Sequence, residues 1–259
     1  EHPITGIPYA SVYARYRTAA ICNRRLYVGN VRLKDNSSAG YSVEEDAIYR
    51  SPVNQFDKIP QTFKIESQVN DGDSIVHLES YADRILEFKE NRLNIHNCTQ
   101  IDEFLEGTYE HRGVHSPSAV TKTEFGVVWT NIYGCFLYNA EQILDLTLTK
   151  EGNRFMSNSF WKAYNTQPMI GYLPTQQKIV ILDHSGDGDK AALFCHIPTL
   201  SWSTATGNDT TWLQDDDLKT NFINAPIDIT EGSDAIKKGA LMYHARDTSD
   251  NTGKFWYIN

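Results

Sequence analysis

The sequence predicts an all-β fold, and three observations support this prediction. Short segments in which apolar and polar residues alternate recur along the chain, and this period is typical of strands with one buried face. Many of these segments are joined by two or three polar residues, as expected for hairpins. Few segments carry apolar residues at the spacing of a helix. A series of antiparallel meanders is therefore expected.

The clearest hairpin lies at residues 83–97. Apolar and polar residues alternate through 84–89, a polar pair follows at 90–91, and the alternation resumes through 92–96. Two alternating runs separated by two polar residues predict two antiparallel strands with a tight turn.

The other elements are predicted in the same way, with turns rich in Asn, Asp, Gly, Ser or Pro between them. In chain order, strands are expected at residues 9–22, 26–33, 47–50, 63–65, 74–78, 84–89, 92–96, 118–126, 127–131, 135–139, 140–147, 169–173, 178–182, 191–197, 202–204, 239–244 and 254–258. Residues 99–106 are predicted as one helical turn or a short edge strand, and residues 158–164 as a short helix.

Five of the strand segments can be aligned with one another, at residues 25–29, 84–88, 126–129, 178–181 and 239–243. Their intervals of about forty to sixty residues are near the blade length of a β-propeller. Each propeller blade is a four-stranded meander, and radial stacking protects the sheet edges. We therefore expect a β-propeller-like array of about five antiparallel meander units, complete or incomplete. Residues 1–259 would form one such domain, either whole or as a piece of a longer protein.

Composition limits the partners. The chain has 259 residues, of which 40% are hydrophobic and 12% aromatic, as in a globular protein. A formal net charge of −9 disfavours nucleic acid as the main partner. No apolar run approaches the ~20 residues of a membrane-spanning helix.

Four cysteines stand at positions 22, 98, 135 and 195. They are widely spaced and form no Cys-x-x-Cys pair, so the spacing gives no disulfide framework. An even number permits two disulfides, but four reduced and buried thiols are the expected arrangement. This favours assembly in a reducing cytoplasm.

One loop contains candidate metal ligands. Asp183, Asp187 and Asp189 alternate with glycines, and carboxylate oxygens are the ligands that Ca²⁺ prefers. The order of acids does not match an EF-hand, so the alternative, a solvated hairpin loop, is favoured.

No catalytic residue is assigned and no cofactor is expected. The chain lacks a Gly-x-Ser-x-Gly elbow, a His-Glu-x-x-His motif and a phosphate-binding glycine loop. The acidic run at residues 215–217, with Asp228 and Glu231, keeps glycoside hydrolysis open as an alternative, because that chemistry uses two carboxylates across a cleft.

Arginines crowd the first two strands. Arg15, Arg17 and Arg25, with Arg24 and Arg32 nearby, are candidate contacts for an acidic partner or for phosphates. The alternative is that these arginines pair with the many acids of the chain itself.

Several stretches resemble a known family: residues 17–30, 72–75, 81–93, 113–119, 126–131 and 133–138. They resemble segments of the propeller-bearing tail nozzle proteins (tail tubular protein B class) of short-tailed bacteriophages, within residues 15–147. The resemblance implies a non-enzymatic structural protein of the virion tail, assembled in the host cytoplasm. Its partners would be other tail proteins, or further copies of itself in a ring through which DNA passes. Two other hypotheses are a glycan-binding or glycan-cleaving propeller and a protein-interaction propeller with no viral link.

Overall fold

The computed structural model describes residues 13–34, 42–67, 72–100, 103–148, 152–183, 192–204, 222–225, 229–231, 234–236, 238–246 and 253–258. Within these ranges the elements are β-strands, apart from one α-helix and two short 3-10 turns. The all-β prediction is confirmed. The chain forms two compact units, Glu1–His115 and Ser116–Asn259.

The first unit begins with a four-stranded antiparallel meander. Its strands are β1 (Tyr13–Cys22), β2 (Arg25–Lys34), β3 (Ser42–Arg50) and β4 (Lys64–Glu66), in that order across the sheet. Asn23 and Arg24 form the predicted β1–β2 turn, both at positive φ, 49° and 62°. Such left-handed pairs fit the twist of a two-residue hairpin.

A second four-stranded meander completes the described part of this unit. It contains β5 (Ile75–Tyr81), β6 (Arg84–Lys89), β7 (Arg92–Asn97) and β8 (Phe104–Glu110). Strands β6 and β7 confirm the clearest predicted hairpin. Strand β8 decides the open alternative at residues 99–106 in favour of an edge strand.

The two sheets of the first unit pack through their first strands, β1 and β5. The apolar side chains between them include Tyr27, Ile48, Ile75, Leu78 and Ile85. Two polar side chains of the first sheet satisfy the backbone of β5. Thr18 Oγ1 accepts a hydrogen bond from Leu78 N (2.8 Å), and Asn30 Nδ2 donates to Ile75 O (2.9 Å). Face-to-face packing of successive meanders is the arrangement of propeller blades.

Asn30 reaches Ile75 from an irregularity in β2. The β2–β3 register shifts between Gly29 and Val31, and Asn30 itself adopts φ 55°. A bulge of this kind turns one side chain out of the regular alternation. This is how a polar residue becomes buried between two apolar sheet faces.

The second unit contains two more four-stranded meanders and a short helix. The first meander contains β9 (Val120–Thr123), β10 (Gly126–Asn131), β11 (Gly134–Tyr138) and β12 (Ile143–Asp145). Helix α1 (Asn158–Tyr164) follows, as predicted. The second meander contains β13 (Pro168–Leu173), β14 (Lys178–Asp183), β15 (Leu193–His196) and β16 (Ser201–Thr204).

The single strand predicted at residues 118–126 is wrong, because a turn interrupts it. Thr123 Oγ1 donates to Gly126 O (2.9 Å) and accepts from Phe125 N (3.1 Å). These bonds close a turn between β9 and β10 instead of continuing the strand.

The described residues of the rest of the second unit form five further strands. Its strands are β17 (Ile223–Asn224), β18 (Ile229–Glu231), β19 (Asp234–Ile236), β20 (Leu241–Arg246) and β21 (Gly253–Ile258). Strands β17, β20 and β21 form a three-stranded sheet with β20 in the centre, and β18 pairs with β19 alone.

Aromatic residues organise the core of the second unit. Trp161 of α1 is 1% exposed, and its Nε1 donates to Asn131 O at 2.8 Å. The Trp161 ring meets that of Trp202 edge-on at 5.8 Å, and Trp202 Nε1 donates to Leu146 O at 2.8 Å. Helix α1 is thereby held against the surrounding strands.

The five aligned segments occupy equivalent places in the described sheets. They fall in β2, β6, β10, β14 and β20, four of which are the second strands of four-stranded meanders, while β20 is central in its sheet. The β-propeller-like fold is therefore confirmed, with four four-stranded meanders and one three-stranded sheet in the part of the chain that the structure describes.

Candidate functional site

An open depression of about 420 Å³ lies along β1 and β5 of the first unit. We call it the β1–β5 depression. It is lined by Ala19, Ala20, Ile21, Leu26, His77, Leu78, Glu79 and Ser80. The depression forms here because three small or aliphatic residues of β1 leave space beside the first strand of the next sheet.

The polar groups of this depression come from β5. His77 Nε2 lies 3.8 Å from Glu79 Oε2, and both side chains are about a quarter exposed, 22% and 24%. Glu79 Oε1 also accepts a hydrogen bond from Ser80 N (2.9 Å). These polar groups lie beside a lining that is otherwise made of alanine, isoleucine and leucine.

A buried carboxylate, Glu103, joins the two sheets of the first unit. Its side chain is 3% exposed and contacts Arg25 Nη1 at 2.5 Å and Arg50 Nε at 2.9 Å. The Tyr27 hydroxyl donates to the same carboxylate at 2.8 Å. Burial acts to lower the pKa of Arg25, but the hydrogen bond and negative charge of Glu103 outweigh it and raise that pKa.

This arrangement gives Arg25 an internal partner. Of the two readings that the sequence left open for Arg25, the structure places it in an ion pair with an acid of the chain itself. Sequence reasoning did not single out Glu103, because the residues that hold it are more than fifty positions away.

A second buried polar group gathers around Glu87, which is fully buried. His96 Nε2 lies 2.7 Å from Glu87 Oε2, and Asn94 Nδ2 donates to the same oxygen at 3.1 Å. Ser67 Oγ donates to Glu87 Oε2 and lies 3.1 Å from His96 Nε2. Thr108 in turn donates to Asn94 Oδ1 at 2.9 Å.

The Glu87 group contains a serine, a histidine and an acid, but not in the geometry of a catalytic triad. In a triad one imidazole nitrogen faces the serine and the other faces the acid. Here the same atom, His96 Nε2, faces both Ser67 Oγ and Glu87 Oε2. The imidazole therefore cannot pass a proton between them in the manner of a triad. The hydrogen bonds of this group converge on Glu87 Oε2, while the buried Glu87 Oε1 accepts none from the described residues.

Arg15 and Arg17 are exposed on β1. The β1–β2 register places Arg15 directly opposite Arg32, which is exposed as well. Like charges opposite one another disfavour the sheet. Within the described ranges none of these three arginines has an ion pair, so their guanidinium groups face outward.

The candidate metal ligands are only partly described. Asp183 ends β14, and its Oδ1 accepts a hydrogen bond from Gln167 N at 3.0 Å, just before β13. Asp187 and Asp189 lie outside the described residues, as do Asp215 and Asp228. No cluster of three or more His, Cys, Asp or Glu residues with the geometry to hold a metal ion occurs in the part of the chain that the structure describes. The Ca²⁺ site stays a prediction.

All four cysteines are buried, as predicted, and all four are free thiols. Cys22 and Cys98 belong to the apolar cluster of the first unit, and Cys135 and Cys195 to that of the second.

Within the described ranges no helix has the length and apolar character needed to cross a membrane.

The described part of the chain thus has a β-propeller-like fold of antiparallel meanders. No protein-family model matches the sequence, and no curated protein matches it. Among solved structures, the chain is similar to the WD40 domain of Pan2 from Neurospora crassa, with 10% identity, a TM-score of 0.46, and coverage of 93% of this chain and 74% of that chain. It is also similar to PorZ of Porphyromonas gingivalis, an essential bacterial surface component of the type-IX secretion system. That match has 10% identity, a TM-score of 0.22, and covers 93% of this chain and 43% of the PorZ chain. At this level of similarity neither structure identifies a family or an activity.

Proposed function

We propose that this chain is a propeller-type scaffold domain that acts by protein–protein assembly, as a nozzle-type subunit in the tail of a short-tailed bacteriophage. The observation that carries the scaffold role is the use of its buried charges. Glu103, Arg25 and Arg50 pair with one another between two sheets, and Glu87 pairs with His96. The Glu103 carboxylate, which receives two arginines and a tyrosine from the neighbouring sheet, suits a rigid framework better than a reactive site.

The phage assignment rests on the family-like stretches. Residues 17–30 and 81–93 span the β1–β2 turn and the β5–β7 hairpins, and residues 126–138 span β10 and β11. The resemblance is thus concentrated on strands and turns that equivalent blades share. This supports a common blade architecture with the tail nozzle proteins.

Exposed apolar side chains offer surfaces for assembly. Val53, Phe56 and Ile59 follow β3 in one loop and are 39–45% exposed. Exposed apolar side chains brought together in one loop can serve as a protein–protein contact site. Other tail proteins or further copies of the chain would cover it.

DNA passage would use a different surface. Arg15 and Arg17 face outward and have the charge to meet phosphates transiently. The chain's overall net charge of −9 keeps such contacts weak, which suits a strand that must move past them.

A conditional phage mutant tests the proposal. Particles made by a phage that carries a nonsense mutation in the gene for this chain are expected to package DNA but to lack a complete tail. Plasmid-supplied chain should restore tail length and plaque formation. Normal tails and full infectivity without the chain would contradict the proposal.

A further inference from the structure

We propose that Cys22 and Cys98 are an oxidisable thiol pair, which a peroxide converts to a disulfide that joins the two sheets of the first unit. This inference concerns the chemistry of that unit and does not depend on where the protein works.

The backbone around Asp83 and Arg84 holds both cysteines in place. Cys22 ends β1, and its Sγ lies 3.9 Å from Arg84 O. Cys98 follows β7, and its N donates to Asp83 O at 2.9 Å. Asn23, next to Cys22, donates from Nδ2 to Cys98 O at 2.6 Å. These bonds bring the end of β1 in the first sheet against the end of β7 in the second.

Both thiols lie in the same buried apolar cluster. Hydrogen bonding with the neighbouring Cys22 thiol lowers the pKa of Cys98, although burial acts in the opposite direction. A lowered thiol pKa increases the fraction of thiolate, which is the species that attacks an oxidant.

The other two cysteines provide an internal comparison. Cys135 and Cys195 are both 0% exposed in the apolar core of the second unit. Burial raises the pKa of Cys135, and it raises the pKa of Cys195 to about 12. Both are therefore expected to stay protonated and unreactive.

Cys22 and Cys98 are also slightly more accessible to solvent than Cys135 and Cys195. Cys22 is 6% exposed and Cys98 2%, and Ile21, next to Cys22, lines the β1–β5 depression together with its cross-strand partner Leu26. Hydrogen peroxide is little larger than water, so small local openings of this hairpin end are sufficient to admit it.

The chemistry needs one equivalent of peroxide. The Cys98 thiolate attacks one peroxide oxygen, an S–O bond forms, the O–O bond breaks, and the released hydroxide is protonated to water. The Cys22 sulfur then attacks the sulfenic sulfur, the S–S bond forms, and the S–O bond breaks with release of a second water. Two thiols lose two electrons and two protons, and peroxide is reduced to two waters.

The resulting bond would connect residues far apart in sequence. Closing such a long loop restricts the unfolded chain and stabilises the folded one. The first unit would therefore be more heat-resistant when oxidised than when reduced.

Peptide mapping of the folded full-length chain tests this inference. The chain is treated with hydrogen peroxide, remaining thiols are alkylated under denaturing conditions, and the protein is digested without reduction for mass spectrometry. A peptide linked through Cys22 and Cys98 should accumulate at least ~10-fold faster than either Cys135 or Cys195 loses its alkylation. The reductant dithiothreitol should remove it. The melting temperature of the oxidised chain should rise by roughly 5 °C or more.

Cys98→Ser and Cys135→Ser form the matched variants. The Cys98→Ser chain should show neither the linked peptide nor the peroxide-dependent rise in melting temperature, and Cys135→Ser should show both. Recovery of Cys22 and Cys98 as free thiols to the same extent as Cys135 and Cys195 would overturn the inference. Disulfides between separate chains, or to Cys135 or Cys195, would overturn it too. These outcomes are read on the wild-type chain, so they hold even if a serine variant fails to fold.

Discussion

At the residue scale, single carboxylates decide how the first unit is held together. Glu103 accepts hydrogen bonds from Arg25 and Tyr27 and pairs with Arg50, all of which belong to the neighbouring sheet. A buried ion pair adds little stability compared with a well-packed apolar core, but loss of one partner leaves an uncompensated charge. Removal of Glu103 alone should therefore cost more stability than replacement of the whole ion pair by well-packed apolar residues.

Glu103→Ala should lower the free energy of unfolding by about 3–5 kcal/mol, because two largely buried arginines lose their counter-charge. Glu106→Ala is the control. Glu106 pairs with Arg84, but its side chain is 37% exposed, so its loss should change stability by about 0–1 kcal/mol. Urea unfolding of both variants measures the difference. Similar losses in the two variants would show that Glu103 does not join the sheets.

Glu106 also predicts a small pH dependence. The hydrogen bond from Arg84 lowers its pKa, against the effect of burial, and Asn97 contributes a further hydrogen bond. A carboxyl whose pKa is lower in the folded state adds stability above its unfolded pKa of about 4.5. This stability is lost as the pH falls through the folded value.

The stability difference between wild type and Glu106→Gln should therefore be constant from about pH 5.5 upward and shrink below about pH 4.5. Solvent screening limits it to about 1 kcal/mol at most. Urea unfolding at several pH values measures this difference. A difference that grows on acidification would contradict the assignment.

At the element scale, close approach between neighbouring strands restricts which residues the meanders accept, and Gly126 is the clearest example. It begins β10 at φ 142°, and a Cβ at this position would lie 2.0 Å from Tyr138 O of β11. Gly152 also has a positive φ, 79°, but a Cβ there would meet nothing within 4 Å. Alanine substitutions at Gly126 and Gly152 therefore separate the cost of backbone strain from the cost of steric overlap.

Gly126→Ala should destabilise the chain by about 2–4 kcal/mol, because both strain and overlap act there. Gly152→Ala should reduce stability by only about 1 kcal/mol, from strain alone. Thermal and urea unfolding of the two variants provide the comparison. If Gly152→Ala is as harmful as Gly126→Ala, close approach between β10 and β11 is not the cause.

The elements that sequence predicted well are those with local causes. Alternation over six residues and a two-residue polar turn specify β6 and β7 without reference to any other part of the chain. The strand prediction for residues 118–126 was wrong for a local reason as well, since Thr123 hydrogen-bonds within its own turn. A threonine within an alternating run does not by itself indicate such a bond.

The candidate site could be predicted only in part, because its contacts are long-range. Composition drew attention to Asp183 and to Arg25. The structure gives Asp183 a backbone partner and Arg25 a carboxylate seventy-eight positions away. In β6 and β7 both faces are buried, so the alternation pattern separates apolar from polar positions but does not identify one exposed face. It does not show which residue of another sheet faces a given strand.

At the scale of the whole molecule, the antiparallel meander recurs along the described chain, but the charged residues are unevenly distributed between buried pairs and exposed positions. Buried charges are paired within the first unit, and the exposed arginines of β1 stand out in a chain of net charge −9. A scaffold that allows DNA to pass would need few and weak phosphate contacts, and this distribution fits that requirement.

The chain should therefore bind short duplex DNA weakly at low salt. Substitution of both Arg15 and Arg17 by Gln should reduce the slope of log affinity against log salt by roughly 2. Arg154→Gln, which removes an exposed arginine near Asp145, should leave the slope unchanged. Fluorescence anisotropy across a salt series measures these slopes. Equal slopes for the double variant and wild type would remove Arg15 and Arg17 from any phosphate contact.

Immunogold electron microscopy of intact virions tests the central claim most directly. Antibodies against this chain should label the tail end of short-tailed particles and leave heads and chain-deficient particles unlabelled. Label on the heads, or no label on virions whose genome encodes the chain, would contradict its assignment as a tail scaffold.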